Sequence, residues 1–429
     1  MTTLQHWNDV DSDFPLEREV VALTLFLSII ELYAELDKPT LSIGVPIMCY
    51  LAFRGNDRVI GRSDLEIMMA MLEITMTDNN DQFSLDYFLA LLIILGQDDI
   101  FQHFDMPILP NIRVDLNSLS QSDCRRAFRF DQDELKKIVS MLPFPEIIIT
   151  EHRDKVHILE AFALVNRRMA YPNRWCNLHQ QFGRSTSALS RTFNLMLGML
   201  IGRVRKSVMF YPLEHERYDE YCDAFVRKGA DPELRIVVVI DAKKLMSCRP
   251  THYQRSQYDR HKKGHGLKFQ TLEGPDGLGI SCTNSFDGRR GDGYIFRKSN
   301  LENFWKSNPS SCNYRKIADS AYPTTNWTLS LFKKVPGQNM DADCQAFNNR
   351  YSPLRTCVEW GYGKIVKHWA FIDFRKQMRI ENSRMEAMWQ LAFWLTNVVT
   401  CACGSNQISE FFELVPPTLE EYLTKSLEL

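Results

Sequence analysis

Residues 234–245 form a continuous apolar run, LRIVVVIDAKKL, which is rich in β-branched side chains and contains one acid, Asp241. A run of this kind predicts a strand that is buried on both faces of a sheet. We interpret Asp241 as the residue that ends this strand. Two further strands are predicted at residues 266–273 and 278–285, on either side of the turn sequence GPDG. Strands followed by mixed strands and helices predict a mixed α/β domain, which we assign to residues 226–429.

Three more acids follow in this part of the chain. Asp292 opens a predicted helix after a glycine-rich turn, Asp319 ends the predicted short strand NYRKIAD, and Glu359 lies on a predicted helix. A single aspartate at a strand end is more often a helix cap or a surface group, so the inference depends on all four acids together. Acids at the strand ends of one sheet can converge, and crowded carboxylates repel unless a divalent cation neutralises them. Oxygen ligands favour Mg²⁺ or Mn²⁺, and two such ions promote in-line displacement at a phosphodiester.

A basic segment, residues 251–269, lies between the first two predicted strands and mixes cations with tyrosines. The cations that we select as candidate DNA contacts are Arg255, Arg260, Lys262, Lys263 and Lys268. Positive charge interleaved with aromatic rings is typical of surfaces that hold a nucleic-acid backbone, and the alternative is a solvated loop. His261 and His265 have a spacing that zinc ligands use, but neither a cysteine nor an acid stands at a suitable distance in the sequence.

The first half of the chain is predicted to be helical. Residues 1–120 indicate a helical packing or interaction module of unassigned role, and residues 121–225 a second helical region. Within the latter, Trp175–Phe182, the turn residue Gly183 and a helix capped by Ser185 or Thr186 and running through Leu200 predict a helix-turn-helix near residues 175–200. The residues that would contact DNA are Arg184, Ser187 and Arg191. The alternative is an ordinary helical hairpin whose arginines face solvent.

Composition excludes little. The formal net charge of -2 comes from 51 basic and 53 acidic residues, which can be segregated along the chain, so nucleic acid stays a possible partner. Eleven cysteines without a C-x-x-C pair suggest neither a disulfide framework nor a zinc ribbon, and a reducing compartment is the simpler expectation. The longest apolar stretches are about half the ~20 residues that a membrane helix requires, so we expect no membrane association.

One segment, FNNRYSPLRTCVE, resembles a pattern of the Harbinger/PIF-like transposases and their domesticated nuclease relatives. The matching positions are Phe347, Asn348, Ser352, Arg355, Val358 and Glu359. Three earlier segments agree in order: the strand with Asp241, the stretch QRSQYDRHKKGHGLK, and DGRRGD with Gly288 and Asp292. A fourth, IADSAYP, contains Asp319, Tyr322 and Pro323. The resemblance covers residues 241–399, with weaker agreement back to the predicted helix-turn-helix.

The resemblance implies a ribonuclease-H-like fold and a DDE endonuclease or transposase that cleaves double-stranded DNA at transposon ends. It implies that Asp241, Asp319 and Glu359 form the catalytic triad, with Asp292 as a further ligand of Mg²⁺ or Mn²⁺. Lys364 and Lys367 are, with Arg355, candidates for contact with the DNA strand, and the alternative is that these lysines face solvent. Relatives often require a separate Myb-like DNA-binding protein for end recognition and nuclear import, so we expect a nuclear location, or a cytoplasmic one without that partner. A homodimer would bring two element ends together.

Two other functions compete with this hypothesis. A domesticated DNA-binding or scaffold protein would have the same fold and acids but no turnover. Departures from the family pattern bear on this alternative: Ala242, Lys243 and Lys244 stand where relatives often carry Gly-Thr-His, and Ala321 replaces a glycine. A helical signalling adaptor is favoured only if the four acids are scattered in space.

Overall fold

A computed structural model describes residues 114–380 and 382–428 of the chain. The helices predicted within residues 15–100 therefore lie outside the described residues. Among the residues that the structure does describe, no helix is long and apolar enough to cross a membrane.

Helices and strands alternate irregularly along the described chain. The helices are α1 Gln121–Phe128, α2 Gln132–Met141, α3 Ile158–Ala170, α4 Trp175–Phe182, α5 Thr186–Met209, α6 His215–Arg227, α7 Gln254–Gln257, α8 Asp292–Lys298, α9 Leu301–Ser307, α10 Ala342–His368, α11 Met385–Cys403, α12 Gln407–Phe412 and α13 Leu419–Leu427. The strands are β1 Ile147–Ile149, β2 Lys155–His157, β3 Ile236–Met246, β4 Tyr258–Asp259, β5 Gly264–Glu273, β6 Gly279–Cys282, β7 Phe286–Asp287, β8 Arg315–Ala318 and β9 Thr328–Ser330. Short 3-10 turns occur at Leu116–Ser118, Pro232–Leu234, Ala370–Asp373 and Arg375–Gln377.

The central sheet is mixed. Strands β3, β5 and β6 form an antiparallel meander, β8 joins β3 in parallel, and β9 joins β8 in parallel. The short strands β4 and β7 also pair with β5. The described part is thus mixed α/β, as predicted, and the order β6-β5-β3-β8-β9 is consistent with a ribonuclease-H-like domain.

Burial of β3 explains why its sequence is so apolar. All five residues from Ile236 to Ile240 are buried, so both faces of the strand are covered. Helices α6 and α10 pack against β3, while α5 and α11 pack against β6 and against each other. At about 25 cal/mol per Å² of buried apolar surface, this layer is a major contribution to the stability of the domain.

Three strand and helix boundaries differ from the prediction. Strand β3 does not end at Asp241, because pairing with β5 continues from Asp241 opposite Thr271 to Met246 opposite Gly266. The helix predicted from Asp292 is divided into α8 and α9, since Asn300 adopts a positive φ of 57° between them. The predicted strand 278–285 is shorter and forms β6, because its pairing with β5 stops at Cys282.

The helix pair α4 and α5 begins where the sequence predicts it. Gly183 ends α4 at a positive φ of 59°, and the Ser185 hydroxyl accepts a hydrogen bond from the Ala188 amide at the start of α5. Helix α5 continues beyond Leu200 to Met209, because buried Val204 and Val208 extend its apolar face. A DNA-binding role for this pair stays a prediction. The same region also contains the β1–β2 hairpin, which the helical prediction missed.

A candidate acidic active site

Two of the predicted acids are neighbours across the sheet. Ile240 of β3 is the direct partner of Ala318 of β8 in a parallel register, and β8 ends at Ala318. Asp241 and Asp319 are the next residues on each chain. Because the two strands are parallel and in register, Asp241 lies beside Asp319 at the point where β8 stops, although β3 continues to Met246.

Asp241 lies in a poorly solvated position. Its side chain is only 19% exposed, and burial raises the pKa of its carboxyl group to about 6. The negative charges of Asp292 and Asp319 raise the same pKa further, whereas the Ala242 amide and Arg355 oppose the increase. The three aspartates are therefore close enough to interact electrostatically.

Asp292 is positioned by a tight turn. Gly288 begins this turn, and a Cβ there would lie 2.3 Å from the Gly266 carbonyl oxygen and 2.5 Å from that of Gln257. The buried Gln257 side chain accepts a hydrogen bond from the Gly288 amide and donates one to Asp287. These contacts explain one position of the family resemblance, the glycine at 288. They fix the chain just before Asp292 begins α8, where its carboxylate accepts a hydrogen bond from Lys268 at 3.2 Å.

Glu359 lies on α10 and is linked to Asp241 through Arg355. Its side chain is 56% exposed and accepts a hydrogen bond from the Arg355 guanidinium, one turn earlier, at 2.7 Å. The same guanidinium lies 3.9 Å from the Asp241 carboxylate. Arg355 therefore connects the acid on β3 with the acid on α10, and the charge of Asp319 also acts on it.

Tyr322 is a member of the site whose chemical role the sequence did not indicate. The residue is 4% exposed, and its hydroxyl has no hydrogen-bond partner among the residues that the structure describes. Burial raises the pKa of this phenol well above its usual value, and the charges of Asp241, Asp292 and Asp319 add to the increase. Tyr322 thus has a buried hydroxyl on which the charges of these three acids act, while its ring packs edge-on against Phe296.

The donor set suits a hard divalent cation. Four carboxylates and a hydroxyl are oxygen donors of the kind that Mg²⁺ and Mn²⁺ prefer. Within residues 114–380 and 382–428, no three histidine, cysteine or acidic side chains already stand close enough to share one ion, and this includes His261 and His265. Arg355 and Lys268 pair with Asp241, Glu359 and Asp292 in this state, so a bound cation would replace part of that positive charge.

A basic cleft lies on the β4–β5 segment. Its volume is about 660 Å³, and its lining residues are Gln254, Arg255, Tyr258, Asp259, Arg260, His261, His265 and Arg289. Two of the predicted DNA contacts, Arg255 and Arg260, are among them, and Lys262 and Lys263 are exposed on the adjoining turn. Tyr253 at the start of this segment is 84% exposed. Arg289 is an addition that the sequence analysis did not select.

Three other residues that are predicted to contact DNA pair with groups of the protein itself. Arg184 forms a two-point ion pair with Glu160 at 2.5 and 2.9 Å, and Arg191 forms one with Asp154 at 2.7 and 3.0 Å. The Lys364 ammonium donates to the Gly277 carbonyl at 2.7 Å. Ser187 and Lys367 are exposed. We therefore leave these three cations out of the DNA surface that we propose below, together with Lys268 and Arg355, which pair with the acids of the site.

The Phe-Asn pair of the resemblance has a structural explanation. The Asn348 side-chain amide accepts from the Phe332 amide at 2.8 Å and donates to the Phe332 carbonyl at 2.9 Å. The Phe347 ring packs against the rings of Phe332 and Tyr351 at 5.3 and 4.5 Å. These contacts attach the segment after β9 to the first turns of α10, the helix that carries Glu359.

Comparison with known families agrees with this geometry. Residues 240–397 match the sequence model of a family described as DDE superfamily endonuclease. This segment contains Asp241, Asp292, Asp319 and Glu359, and it supports a DDE transposase-like family without selecting the Harbinger/PIF group. No significant match was found to a curated protein or to a solved structure.

Proposed function

We propose that this chain, which carries a DDE superfamily endonuclease domain, cleaves double-stranded DNA with divalent metal bound by Asp241, Asp292, Asp319 and Glu359. The observation that carries the proposal is the register of β3 and β8, which sets Asp241 beside Asp319, with Arg355 joining Asp241 to Glu359. This placement supports a nuclease over a helical signalling adaptor, which is favoured only if the acids are scattered in space.

The chemistry follows from the charge of the cluster. When bound, Mg²⁺ or Mn²⁺ ions would activate an attacking water or 3′-hydroxyl and stabilise the leaving oxygen at a phosphodiester. The protein's part is to hold oxygen ligands at one point, and the carboxylates of Asp241, Asp319 and Glu359 serve as the catalytic triad. In the metal-free protein, Arg355 holds Asp241 and Glu359 together. Tyr322 supplies a hydrogen-bond donor within the cluster.

The DNA backbone is proposed to lie on the basic cleft and the turn beside it. Arg255, Arg260, Lys262 and Lys263 supply positive charge for phosphates, and exposed Tyr253 supplies an aromatic surface. Strand β5 continues from this turn to Lys268, which hydrogen-bonds Asp292. The phosphate-binding surface and the acid cluster are thus joined by one strand.

The finer identity of the enzyme is also a proposal. The segment FNNRYSPLRTCVE supports a Harbinger/PIF-like enzyme that acts at transposon ends. By the same resemblance we propose a Myb-like partner protein, a homodimer that joins two element ends, and a nuclear location.

A domesticated DNA-binding protein without turnover is the second candidate. The observation in its favour is the stretch Ala242, Lys243 and Lys244, which directly follows the first acid and departs from the family's Gly-Thr-His. Both candidates predict the same fold and the same DNA surface. They differ in metal-dependent cleavage.

The test is nicking of supercoiled DNA by the full chain in Mg²⁺, Mn²⁺ or EDTA. Asp241→Asn removes a ligand with little change in volume and should abolish nicking, whereas the same change at Asp133, exposed on α2, should leave it intact. Nicking that persists in EDTA or in the Asp241→Asn protein would refute the metal-dependent nuclease. Metal-independent DNA binding without nicking would favour the domesticated binding protein.

A further inference from the structure

We propose that Lys243 forms a phosphate-binding position beside the acid cluster, where its ammonium holds a non-bridging oxygen of the DNA backbone. This inference rests on the proposed DNA-cleaving function and names a contact that neither the resemblance nor the family match assigns. The resemblance implies a different residue type at this position, so Lys243 is a departure from the family pattern.

The geometry of β3 sets the direction of the side chain. Successive side chains of a strand alternate between the two faces of a sheet, so Asp241 and Lys243 share one face and Lys244 lies on the other. The Lys243 ammonium lies 5.4 Å from the centre of the Tyr362 ring. Tyr362 follows Glu359 by three residues on α10, which places both on one side of that helix. Lys243 therefore points to the region between Asp241 and Glu359.

Tyr362 is itself held in place. Its hydroxyl accepts a hydrogen bond from Thr271 at 2.8 Å, and Thr271 is the direct partner of Asp241 in the β3–β5 pair. The ring beneath the Lys243 ammonium is therefore fixed relative to the first acid. A cation over an aromatic face gains some attraction but keeps its hydrogen-bonding capacity, which is available for another acceptor.

The two adjacent lysines differ in their partners. The Lys244 ammonium has two partners inside the protein: it donates a hydrogen bond to the Gly264 carbonyl and lies 3.9 Å from Asp259. Lys243 is half-buried and, among residues 114–380 and 382–428, its ammonium makes neither a hydrogen bond nor an ion pair. A partly desolvated ammonium without an acceptor is costly unless a ligand supplies one. Within the described part of the chain, Lys243 is thus a donor without an acceptor at the predicted cleavage site.

The surrounding charges favour a phosphate over a protein carboxylate as the ligand. Lys262, Asp373, Asp241 and Glu359 all lie near enough to Lys243 to act on it electrostatically. DNA that runs along Lys262 toward the acids passes this position. A cation at this position favours a phosphodiester, because it adds to the positive charge that offsets the carboxylates.

The test measures DNA affinity, which does not require turnover. Binding of a short duplex in Mg²⁺ is titrated with salt in a Glu359→Gln background that keeps the DNA intact. Lys243→Met should weaken binding by roughly tenfold and reduce the salt slope by about one, since one charge-assisted phosphate contact is lost. Lys243→Arg should retain the slope. Lys425→Met, which removes an exposed lysine paired with Glu214, is the matched control and should bind like the parent.

An unchanged affinity and slope in Lys243→Met would overturn the proposal, as would a loss that Lys243→Arg fails to restore. Thermal unfolding of each variant separates a binding loss from a folding loss. The nuclease proposal is judged separately, by nicking with an intact Glu359. A Lys243-dependent salt slope in a protein that never nicks DNA would support the phosphate position and contradict the nuclease.

Discussion

Asp241 and Asp319 lie side by side because the residues that precede them, Ile240 and Ala318, are direct partners in the parallel pair of β3 and β8. Two acids that are 78 positions apart in sequence number are thereby brought to one edge of the sheet. Burial of the first of them makes its negative charge unfavourable, and Arg355 supplies only part of the compensation. Additional positive charge near Asp241 would therefore stabilise the site.

The free energy of unfolding of the metal-free protein should therefore depend on pH. The pKa of Asp241 is raised from 3.8 to about 6, so the folded state binds this proton more tightly than the unfolded state. Binding of this proton stabilises the folded state, and the stabilisation is complete at about pH 4 and is lost as the pH rises through about 6. Asp241→Asn should therefore increase the free energy of unfolding by about 3 kcal/mol at pH 8 and by little at pH 4.

Denaturant unfolding in EDTA at both pH values measures this difference. Asp133→Asn controls for the general effect of replacing an exposed carboxylate. Equal gains for Asp241→Asn at pH 4 and pH 8 would show that ionised Asp241 carries no cost in the folded protein.

Arg355 should stabilise the protein mainly when no metal is bound. Arg355→Gln removes the hydrogen bond to Glu359 and the charge near Asp241, and we expect a loss of about 1 kcal/mol in EDTA because Glu359 is largely exposed. Mg²⁺ or Mn²⁺ should reduce the loss by neutralising the same acids. Thermal unfolding with and without metal measures the effect, beside Arg126→Gln on the exposed side of α1. A deficit that metal leaves unchanged would contradict this role.

Asn348 should hold the segment that follows β9. Asn348→Ala removes both hydrogen bonds to the Phe332 backbone and should cost about 1 kcal/mol, because the bonded groups are partly solvated. Trypsin should then cut faster after Lys333 and Lys334, which come next in the chain. Asn349→Ala is the matched control, since its side-chain oxygen accepts a hydrogen bond from Gln345 of the same helix. Identical digestion of the two variants would disprove the anchoring role.

Much of the catalytic domain is predictable from sequence because its central strand is so apolar. The run that contains Ile236–Ile240 indicates a buried strand without knowledge of its partners, and the order of Asp241, Asp292, Asp319 and Glu359 carries the resemblance. The full length of β3 is hidden, because Lys243 and Lys244 interrupt the apolar pattern although β5 still pairs with them.

Contacts between distant residues account for what sequence analysis missed. The arginines at the start of α5 look like free cations, but their partners lie 24 and 37 residues earlier, at Glu160 and Asp154. Lys364 appears to lie on an exposed helix face, yet its ammonium reaches the Gly277 carbonyl on the β5–β6 turn. The buried Tyr322 hydroxyl is recognisable only once the strand register is known.

The most direct test of metal binding by the acids is a change of ligand chemistry at Asp319. Asp319→Cys replaces a hard oxygen ligand with a softer sulfur, which Mg²⁺ accepts poorly and Mn²⁺ accepts better. We predict that this variant loses at least ~10²-fold of DNA nicking in Mg²⁺ and regains a large part of it in Mn²⁺, while Asp319→Asn is inactive with both ions. Undiminished activity of Asp319→Cys or Asp319→Asn in Mg²⁺ would contradict Asp319 as a metal ligand.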